Sequence, residues 1–216
     1  MKKIYLAGSC RLYQSFPKSD NIIITPNGHC MSMSEIKQGL ELANGTSDLV
    51  FTQSEKEKLF KVADHHYPEN LLNVNIDLTN IDTFIFEPSS FKTIQSMNKN
   101  NQLFYTYTNA QGYSDTVVKF GTLIENDNIQ TSIINEVLKK YIKNSKLIIF
   151  LVHNLDNIPK REKLRNIWKT WCNKNNIQYL DIMDILPDNP RSILKDPIRY
   201  TKNFYKVINQ QFLKII

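Results

Sequence analysis

The sequence lacks any long apolar run. No stretch approaches the roughly 18 apolar residues that a membrane-spanning helix needs, and the longest candidate, "KLIIFLVHN" at 146–154, has the length of a strand. The N-terminal apolar run, Ile4 to Ala7, is too short for the roughly 7–15-residue core of an export signal. We therefore expect no transmembrane segment and no signal peptide, and a cytoplasmic location.

Cysteine is also scarce. Cys10, Cys30 and Cys172 have neither the spacing of a metal site nor the even number of a disulfide framework, which predicts free thiols in a reducing compartment. His65 and His66 have no partner at the helical spacing of metal ligands, so they are expected at the surface. No metal is predicted.

Positive charge exceeds negative charge, with 27 Lys and Arg against 21 Asp and Glu, a net charge of +6. The lysines are scattered over segments with the pattern of helix faces. A nucleic-acid groove would combine clustered cations with exposed aromatic residues, and no such run occurs. We expect no nucleic-acid partner, while an acidic substrate or co-substrate stays open.

Short apolar runs recur along the chain and alternate with segments of helical period. Continuous apolar runs are typical of strands that are buried on both faces. Strands that alternate with helices predict a mainly parallel sheet covered on both sides, an α/β three-layer sandwich of flavodoxin-like type in a single domain, 1–216. The predicted strands lie at 3–8, 21–26, 82–88, 146–154 and 177–183, and the predicted helices at 32–45, from 129 to 142, 161–176 and 201–215.

Two segments interrupt this alternation. Aromatic residues flank the turn signal "NAQG", which predicts an inserted β-hairpin at about 99–124. Its rings are equally suited to one wall of a carbohydrate site and to cross-strand packing; they are Phe104, Tyr105, Tyr107, Tyr113 and Phe120. The second segment, at 62–77, is expected to be an irregular excursion.

Polar side chains follow each predicted strand. In an open parallel sheet, ligands bind beyond the carboxyl ends of the strands, so these residues are the candidates for a site. A serine at a sharp strand-to-helix turn exposes its hydroxyl beside backbone amides that can stabilise an oxyanion. The candidates are Ser9, Cys10 and Arg11 after the first strand, Gly28 and His29 after the second, Glu87, Ser89 and Ser90 after the third, His153 and Asn154 after the fourth, and Lys195, Asp196, Arg199 and Tyr200 before the last helix.

The arrangement of these segments resembles the SGNH/GDSL hydrolase superfamily, including relatives whose first block reads Gly-Ser-Cys. The matching segments are "AGSC", "PNGHC", "FEPSS" and "DPIR". The resemblance covers the whole chain through short motifs. It implies that Ser9 is the nucleophile, that Gly28 and either Ser89 or Ser90 donate to the oxyanion together with the Ser9 amide, and that Asp196 is the acid of the terminal block.

The terminal block departs from the family, because Arg199 stands where the family has the histidine that deprotonates the serine. A guanidinium has no acceptor at neutral pH and cannot be that base. His29, or else His153, is the replacement that the sequence offers. Alternatively, Arg11, Arg199 and Lys195 form a cup for phosphate, carboxylate or a nucleotide-sugar diphosphate.

The leading hypothesis is a serine esterase or O-acyltransferase that acts on a carbohydrate or glycan, with Ser9 as nucleophile and His29 as base. The alternative is a glycosyltransferase or a non-hydrolytic pseudo-hydrolase that binds a glycan or nucleotide sugar. In both, Arg11, Ser89, His153, Asn154, Arg199 and Tyr200 contact substrate. No cofactor is required, although acyl-CoA or a nucleotide sugar fits as co-substrate. A third hypothesis is a structural protein with a vestigial cup.

Overall fold

The computed structural model describes residues 2–17, 19–52, 75–106, 119–125, 127–196 and 199–216, with only the backbone of 119–125 and 127. Its main sheet has five parallel strands in the order β2-β1-β3-β7-β8. These strands are β1 (Ile4–Gly8), β2 (Ile22–His29), β3 (Thr83–Phe86), β7 (Lys146–Leu151) and β8 (Gln178–Asp181). The predicted parallel α/β sheet is confirmed.

Burial explains why the apolar runs became strands. Every residue of β1 and of β3 is buried, because both strands lie inside the sheet with helices on each side. Leu6 and Ile85 are fully buried on one face, and Tyr5 and Phe84 are fully buried on the other. Burying a side chain of this size stabilises the fold by about 1.5–3 kcal/mol.

Helices cover both faces of the sheet. The helices are α1 (Cys10–Gln14), α2 (Met33–Ala43), α3 (Asp127–Tyr141), α4 (Pro159–Asn175) and α5 (Lys202–Ile215). The apolar sides of α2, α3 and α4 form one core cluster with the sheet, and those of α1 and α5 form the other. Single turns of 3₁₀ helix occur at Leu78–Asn80, Ile182–Ile185 and Pro190–Ile193.

The start of α2 shows how sequence sets a helix boundary. The Ser32 hydroxyl accepts a hydrogen bond from the Glu35 amide, and the Glu35 carboxylate accepts one from the Met31 amide at 2.6 Å. These bonds satisfy amides that the first helical turn leaves without partners. Burial raises the pKa of the Glu35 carboxyl to about 7.

A second sheet covers the region of the hairpin predicted at about 99–124, but the predicted pairing is wrong, because the strands on either side of "NAQG" each pair with an earlier strand at 92–97 and not with each other. It has three antiparallel strands in the order β5-β4-β6, namely β4 (Lys92–Met97), β5 (Leu103–Thr106) and β6 (Lys119–Glu125). β4 and β5 form a hairpin, and β6 pairs with the other edge of β4. The Gln38 side chain of α2 bonds to the backbone N–H and C=O of Tyr105, which attaches this sheet to the main domain.

Several predictions fall partly outside the described residues. Most of the 62–77 excursion, including His65 and His66, is among the residues not described, as are Tyr107 and Tyr113. Phe104 is buried and packs edge-on against Phe51, so it forms no wall of a sugar site.

Three observations concern the part of the chain that is described. No helix there is long and apolar enough to cross a membrane. No group of three or more potential metal ligands occurs in it. The three cysteines are free thiols.

The strand order creates one crevice at the carboxyl edge. From β1 the chain passes to β2 on one side, and β3 then pairs with the other side of β1. The strand order therefore reverses between β1 and β3. Crevices for ligands in open α/β sheets lie at such a switch point.

Candidate functional site

The switch point brings together two side chains from segments far apart in sequence. Ser9 directly follows β1, and Glu87 directly follows β3, the strand that pairs with β1. Gly8 allows this approach, because a Cβ at that position would lie 2.6 Å from the Cβ of Glu87. The glycine of the "AGSC" block is therefore needed for contact between the two strands.

Ser9 is bonded on every side. Its hydroxyl donates to the Glu87 carboxylate, with Oγ 2.7 Å from Oε1 and 2.8 Å from Oε2, and its amide donates to Oε2 at 3.0 Å. The same hydroxyl accepts hydrogen bonds from the backbone amide and the Nε of Arg11, each at 3.2 Å. Ser9 is thus both the N-cap of α1 and a proton donor to a carboxylate.

Arg11 completes a buried ion pair. Its guanidinium lies 3.1 Å from Oε1 of Glu87, and Glu87 is fully buried while Arg11 is 8% exposed. Burial lowers the pKa of Arg11, but the charge of Glu87, together with Tyr200, Cys10 and the hydrogen bond to Glu87, outweighs burial, so the net shift is upward. Arg11 therefore supplies the positive charge that offsets the cost of burying the Glu87 carboxylate. We call Ser9, Glu87 and Arg11 the serine–glutamate–arginine cluster.

Gly28 lies near the end of β2, the strand beside β1, and sets the backbone conformation there. Its φ of 67° lies in the left-handed region that favours glycine. The Tyr13 hydroxyl donates to the Gly28 carbonyl at 2.6 Å and accepts from the Gly8 amide at 2.9 Å. A buried tyrosine of α1 therefore fixes the distance between the ends of β1 and β2.

Neither candidate base bonds to Ser9. Within the described part of the chain, the partners of its hydroxyl are Glu87 and Arg11. His29 stacks against Tyr13, with ring centroids 6.4 Å apart. Burial, followed by the charge of Arg11, lowers the pKa of His29 to about 4, so it is neutral near pH 7.

His153 is bonded to another predicted site residue. Its Nδ1 lies 2.9 Å from the Tyr200 hydroxyl, and both side chains are buried. Burial, then the charges of Arg11 and Arg161, lowers the pKa of His153 to about 4. This histidine is neutral near pH 7 and close to the arginines of the site. The geometry brings His153, Tyr200 and the cluster to the same end of the sheet.

Asn154 has a structural role in the next loop. Its side chain accepts from the Ile158 amide at 2.9 Å and donates to the Glu162 carboxylate at 3.0 Å. These bonds organise the turn that leads into α4. The amide is therefore engaged by protein groups and is not oriented as a substrate ligand.

The two serines after β3 differ in their bonding. The Ser90 hydroxyl bonds to the backbone of Lys92, and its amide donates to the Met31 carbonyl at 2.6 Å. The Ser89 hydroxyl is buried and has no hydrogen-bond partner among the described residues. Of the two, Ser89 retains a donor for another molecule.

The terminal block forms an exposed ion pair. Asp196 accepts from the Arg199 amide at 2.8 Å and from its Nε at 2.6 Å, which closes a tight loop before α5. Burial and the charge of Glu87 raise the pKa of the Cys10 thiol, and the charges of Arg11 and Arg199 partly offset that rise. Arg199 thus lies on the same rim as the start of α1, although Asp196 bonds to an arginine where the family has a histidine.

The structure gives two residues a place in the site that the sequence did not indicate. In the sequence Glu87 is one of several polar residues that follow a strand, and its bond to Ser9 depends on the order of strands in the sheet. Arg161 lies in the first turn of α4 and belongs to no motif. Burial, then the charge of Arg11, lowers the pKa of Arg161, so the two guanidinium groups repel each other electrostatically.

The cluster has a definite chemical capacity. A carboxylate that accepts a hydroxyl proton can act as a general base, and a guanidinium beside the oxygen can stabilise negative charge that develops there. The distance between Ser9 Oγ and the nearest Glu87 oxygen, 2.7 Å, is within the range that proton transfer needs. Both histidines are neutral near pH 7 and lie outside this contact.

Comparisons with known proteins give structural likenesses but no family. No family model matches the chain, and no curated protein matches it. A solved structure described as a lipolytic protein of the G-D-S-L family from Desulfitobacterium hafniense superposes with a TM-score of 0.45 and 11% identity, over 100% of both chains.

Proposed function

We propose that the chain is an ester hydrolase or O-acyltransferase in which Ser9 is the nucleophile and Glu87, in place of histidine, is its base. The supporting observation is the bond from the Ser9 hydroxyl to the buried Glu87 carboxylate at 2.7 Å, at the switch point of the sheet. This position is where ligands enter open α/β sheets.

The proposed reaction has two half-steps. Ser9 Oγ forms a bond to the acyl carbon while its proton passes to Glu87, and the carbonyl oxygen becomes an oxyanion. Collapse breaks the ester C–O bond, and the leaving alkoxide takes the proton from Glu87. Water or an acceptor hydroxyl then attacks the acyl-serine while its proton passes to Glu87, and when the bond from the acyl carbon to Ser9 Oγ breaks, Oγ takes that proton back.

Arg11 takes the role that the sequence assigned to backbone amides. The Ser9 amide is occupied by Glu87, whereas the Arg11 Nε already lies 3.2 Å from Ser9 Oγ. When Oγ becomes bonded to carbon, that N–H is positioned for the new oxyanion. The buried Ser89 hydroxyl is a second candidate donor.

The proposed substrate is an ester of a carbohydrate hydroxyl, as the sequence predicted. Phe104 does not support a carbohydrate substrate, because its ring is buried in the protein and cannot pack against a sugar. Acyl-CoA remains the proposed donor in the transfer case.

Hydrolysis of p-nitrophenyl acetate tests the proposal. Ser9→Ala should abolish hydrolysis, and Ser192→Ala, which removes an exposed turn hydroxyl, should leave it unchanged. Equal rates in wild type and Ser9→Ala would refute the serine mechanism. Circular dichroism of both variants shows whether the fold is kept.

A second function is favoured by a different observation. Ser9 is 2% exposed and its hydroxyl is fully bonded, while Arg11 and Arg161 are near enough for the charge of Arg11 to lower the pKa of Arg161. That arrangement fits a glycosyltransferase or non-hydrolytic protein that binds a nucleotide-sugar diphosphate. UDP-glucose should then raise the melting temperature of wild type and of Ser9→Ala equally, but not that of Arg161→Ala. No shift in wild type would exclude this alternative.

A further inference from the structure

A separate hollow lies on the side of the sheet that α1 and α5 cover. Its volume is about 740 Å³, within the range of small-molecule sites. The hollow runs from the end of α1 to the first half of α5, and the loop before α5 closes one end. Its charged lining residues are Lys195, Arg199, Lys202 and Lys206.

The charge of this hollow is unbalanced. The described residues that line it include four cations and no carboxylate. Arg199 is held by Asp196, but Lys195, Lys202 and Lys206 form no ion pair in the described part of the chain. Exposed lysines placed around one concave surface attract an anion and have no internal partner that competes with it.

The floor of the hollow is apolar and rigid. Phe16 packs against Phe212, with centroids 5.1 Å apart, and Tyr205 packs against Tyr200 at 5.6 Å. The Tyr205 hydroxyl also accepts a hydrogen bond from the Tyr200 amide. These buried side chains present fixed surface beside the cations, which suits a ring or another apolar group that is attached to the anion.

We propose that this hollow binds a small organic phosphate, with its phosphate groups on Lys202 and Lys206 and its apolar or ring-bearing part on Phe16 and Tyr205. Lys202 and Lys206 are four residues apart on α5 and therefore project from the same side of the helix. Neutral amides of Gln14 and Asn209 line the same space and can donate to phosphate oxygens.

The hollow and the serine–glutamate–arginine cluster are neighbours. Ser9 caps the start of α1, and Gln14 at the end of α1 lines the hollow. Tyr200 both lines the hollow and bonds to His153. A phosphorylated co-substrate held there would lie close to the carboxyl edge. The binding itself does not depend on the chemistry of Ser9, so the two proposals can fail separately.

Calorimetric titration of the full chain tests this proposal, with ADP, inorganic pyrophosphate and adenosine as probes. ADP should bind more tightly than either fragment, and binding should weaken at high salt. Lys202→Ala/Lys206→Ala should weaken ADP binding about tenfold. The matched control is Lys139→Ala/Lys143→Ala, another exposed pair at the same spacing but outside the hollow, which should bind as wild type does.

Three results would overturn the proposal. One is that wild type does not bind ADP. Another is that the two lysine pairs weaken ADP binding equally, which would indicate general attraction by positive charge. The third is that pyrophosphate binds as tightly as ADP. Ser9→Ala should bind ADP normally, so loss of esterase activity and loss of binding are separate outcomes.

Discussion

Two buried arginine–carboxylate pairs stand at the carboxyl edge of the sheet, and they differ in what surrounds them. The Arg165 guanidinium lies 2.7 Å from Oδ2 of Asp181 and also donates to the Val152 carbonyl. The other oxygen of Asp181 accepts a hydrogen bond from the Met183 amide and caps the following turn. Every bond there joins protein groups that hold α4 to the sheet. The Arg11–Glu87 pair encloses the hydroxyl of Ser9 instead.

The difference separates a structural pair from a candidate reactive one. Both pairs have fully buried carboxylates, and both connect helices to strand ends. Breaking a buried pair by removing one partner is strongly destabilising wherever it occurs. Only a change in the Arg11–Glu87 pair, which contacts the Ser9 hydroxyl, should also alter the catalytic rate. The Arg165–Asp181 pair therefore serves as the control for effects on stability alone.

The largest expected effect is on catalysis by Glu87→Gln. An amide of similar shape cannot accept the Ser9 proton, so p-nitrophenyl acetate hydrolysis should fall by about 10²–10⁴-fold. Asp181→Asn, at the structural pair, should lower stability and leave the rate per folded molecule within about twofold. Comparable losses of rate in both variants would show that the Ser9–Glu87 bond has no special role.

The second expected effect is on stability. Arg11→Met leaves Glu87 buried without its counter-charge and should lower the free energy of unfolding by about 3–5 kcal/mol. Arg165→Met should lower it by less, because Lys169 still pairs with Asp181. Urea denaturation measures both. The double variant Arg11→Met/Glu87→Met should be more stable than Arg11→Met alone, because no isolated charge remains. If Arg11→Met is as stable as wild type, the cluster is not the buried pair described here.

The third expected effect is the dependence of stability on pH. The pKa of His153 is about 4 in the folded protein, below the value of about 6.5 for an unfolded chain. The unfolded state therefore binds more protons between these values. His153 stabilises the fold fully above about pH 6.5, and this contribution, at most about 3 kcal/mol, is lost as the pH falls toward 4.

Urea denaturation at several pH values of wild type and His153→Gln isolates this contribution. The variant should lose less stability between pH 6.5 and 4, since it has no imidazole to protonate at that position. His29→Gln should behave similarly, because burial lowers the pKa of His29 to about 4 as well. Parallel curves for wild type and both variants would contradict the assigned pKa values.

The smallest expected effect concerns a third pair, which is exposed. The Arg199 and Asp196 side chains are 54% and 28% exposed, and such pairs contribute about 0–1 kcal/mol. Arg199→Ala should therefore shift the urea midpoint only slightly. A loss of stability as large as that of Arg11→Met would show that the terminal loop, and not the cluster, holds this edge of the sheet together.

The sequence predicted the main sheet well, because its strands are continuous apolar runs with polar ends. It also predicted that Ser9 and Arg11 lie at the carboxyl edge. The sequence did not predict which residue pairs with Arg11. Glu87 is 76 residues away and contacts Arg11 only because β3 pairs with β1. The role of His29 as base was inferred from adjacency in sequence, which does not fix the direction of a side chain.

Identification of the nucleophile tests the central proposal most directly. Wild-type protein should be incubated with a fluorophosphonate, which modifies serines that attack as alkoxides, and the labelled peptide located by mass spectrometry. The Ser9–Glu87 bond predicts a single adduct on Ser9 that Glu87→Gln strongly reduces and Asp181→Asn retains. No adduct on Ser9 in folded wild type, or equal labelling of Ser9 in wild type and Glu87→Gln, would contradict it.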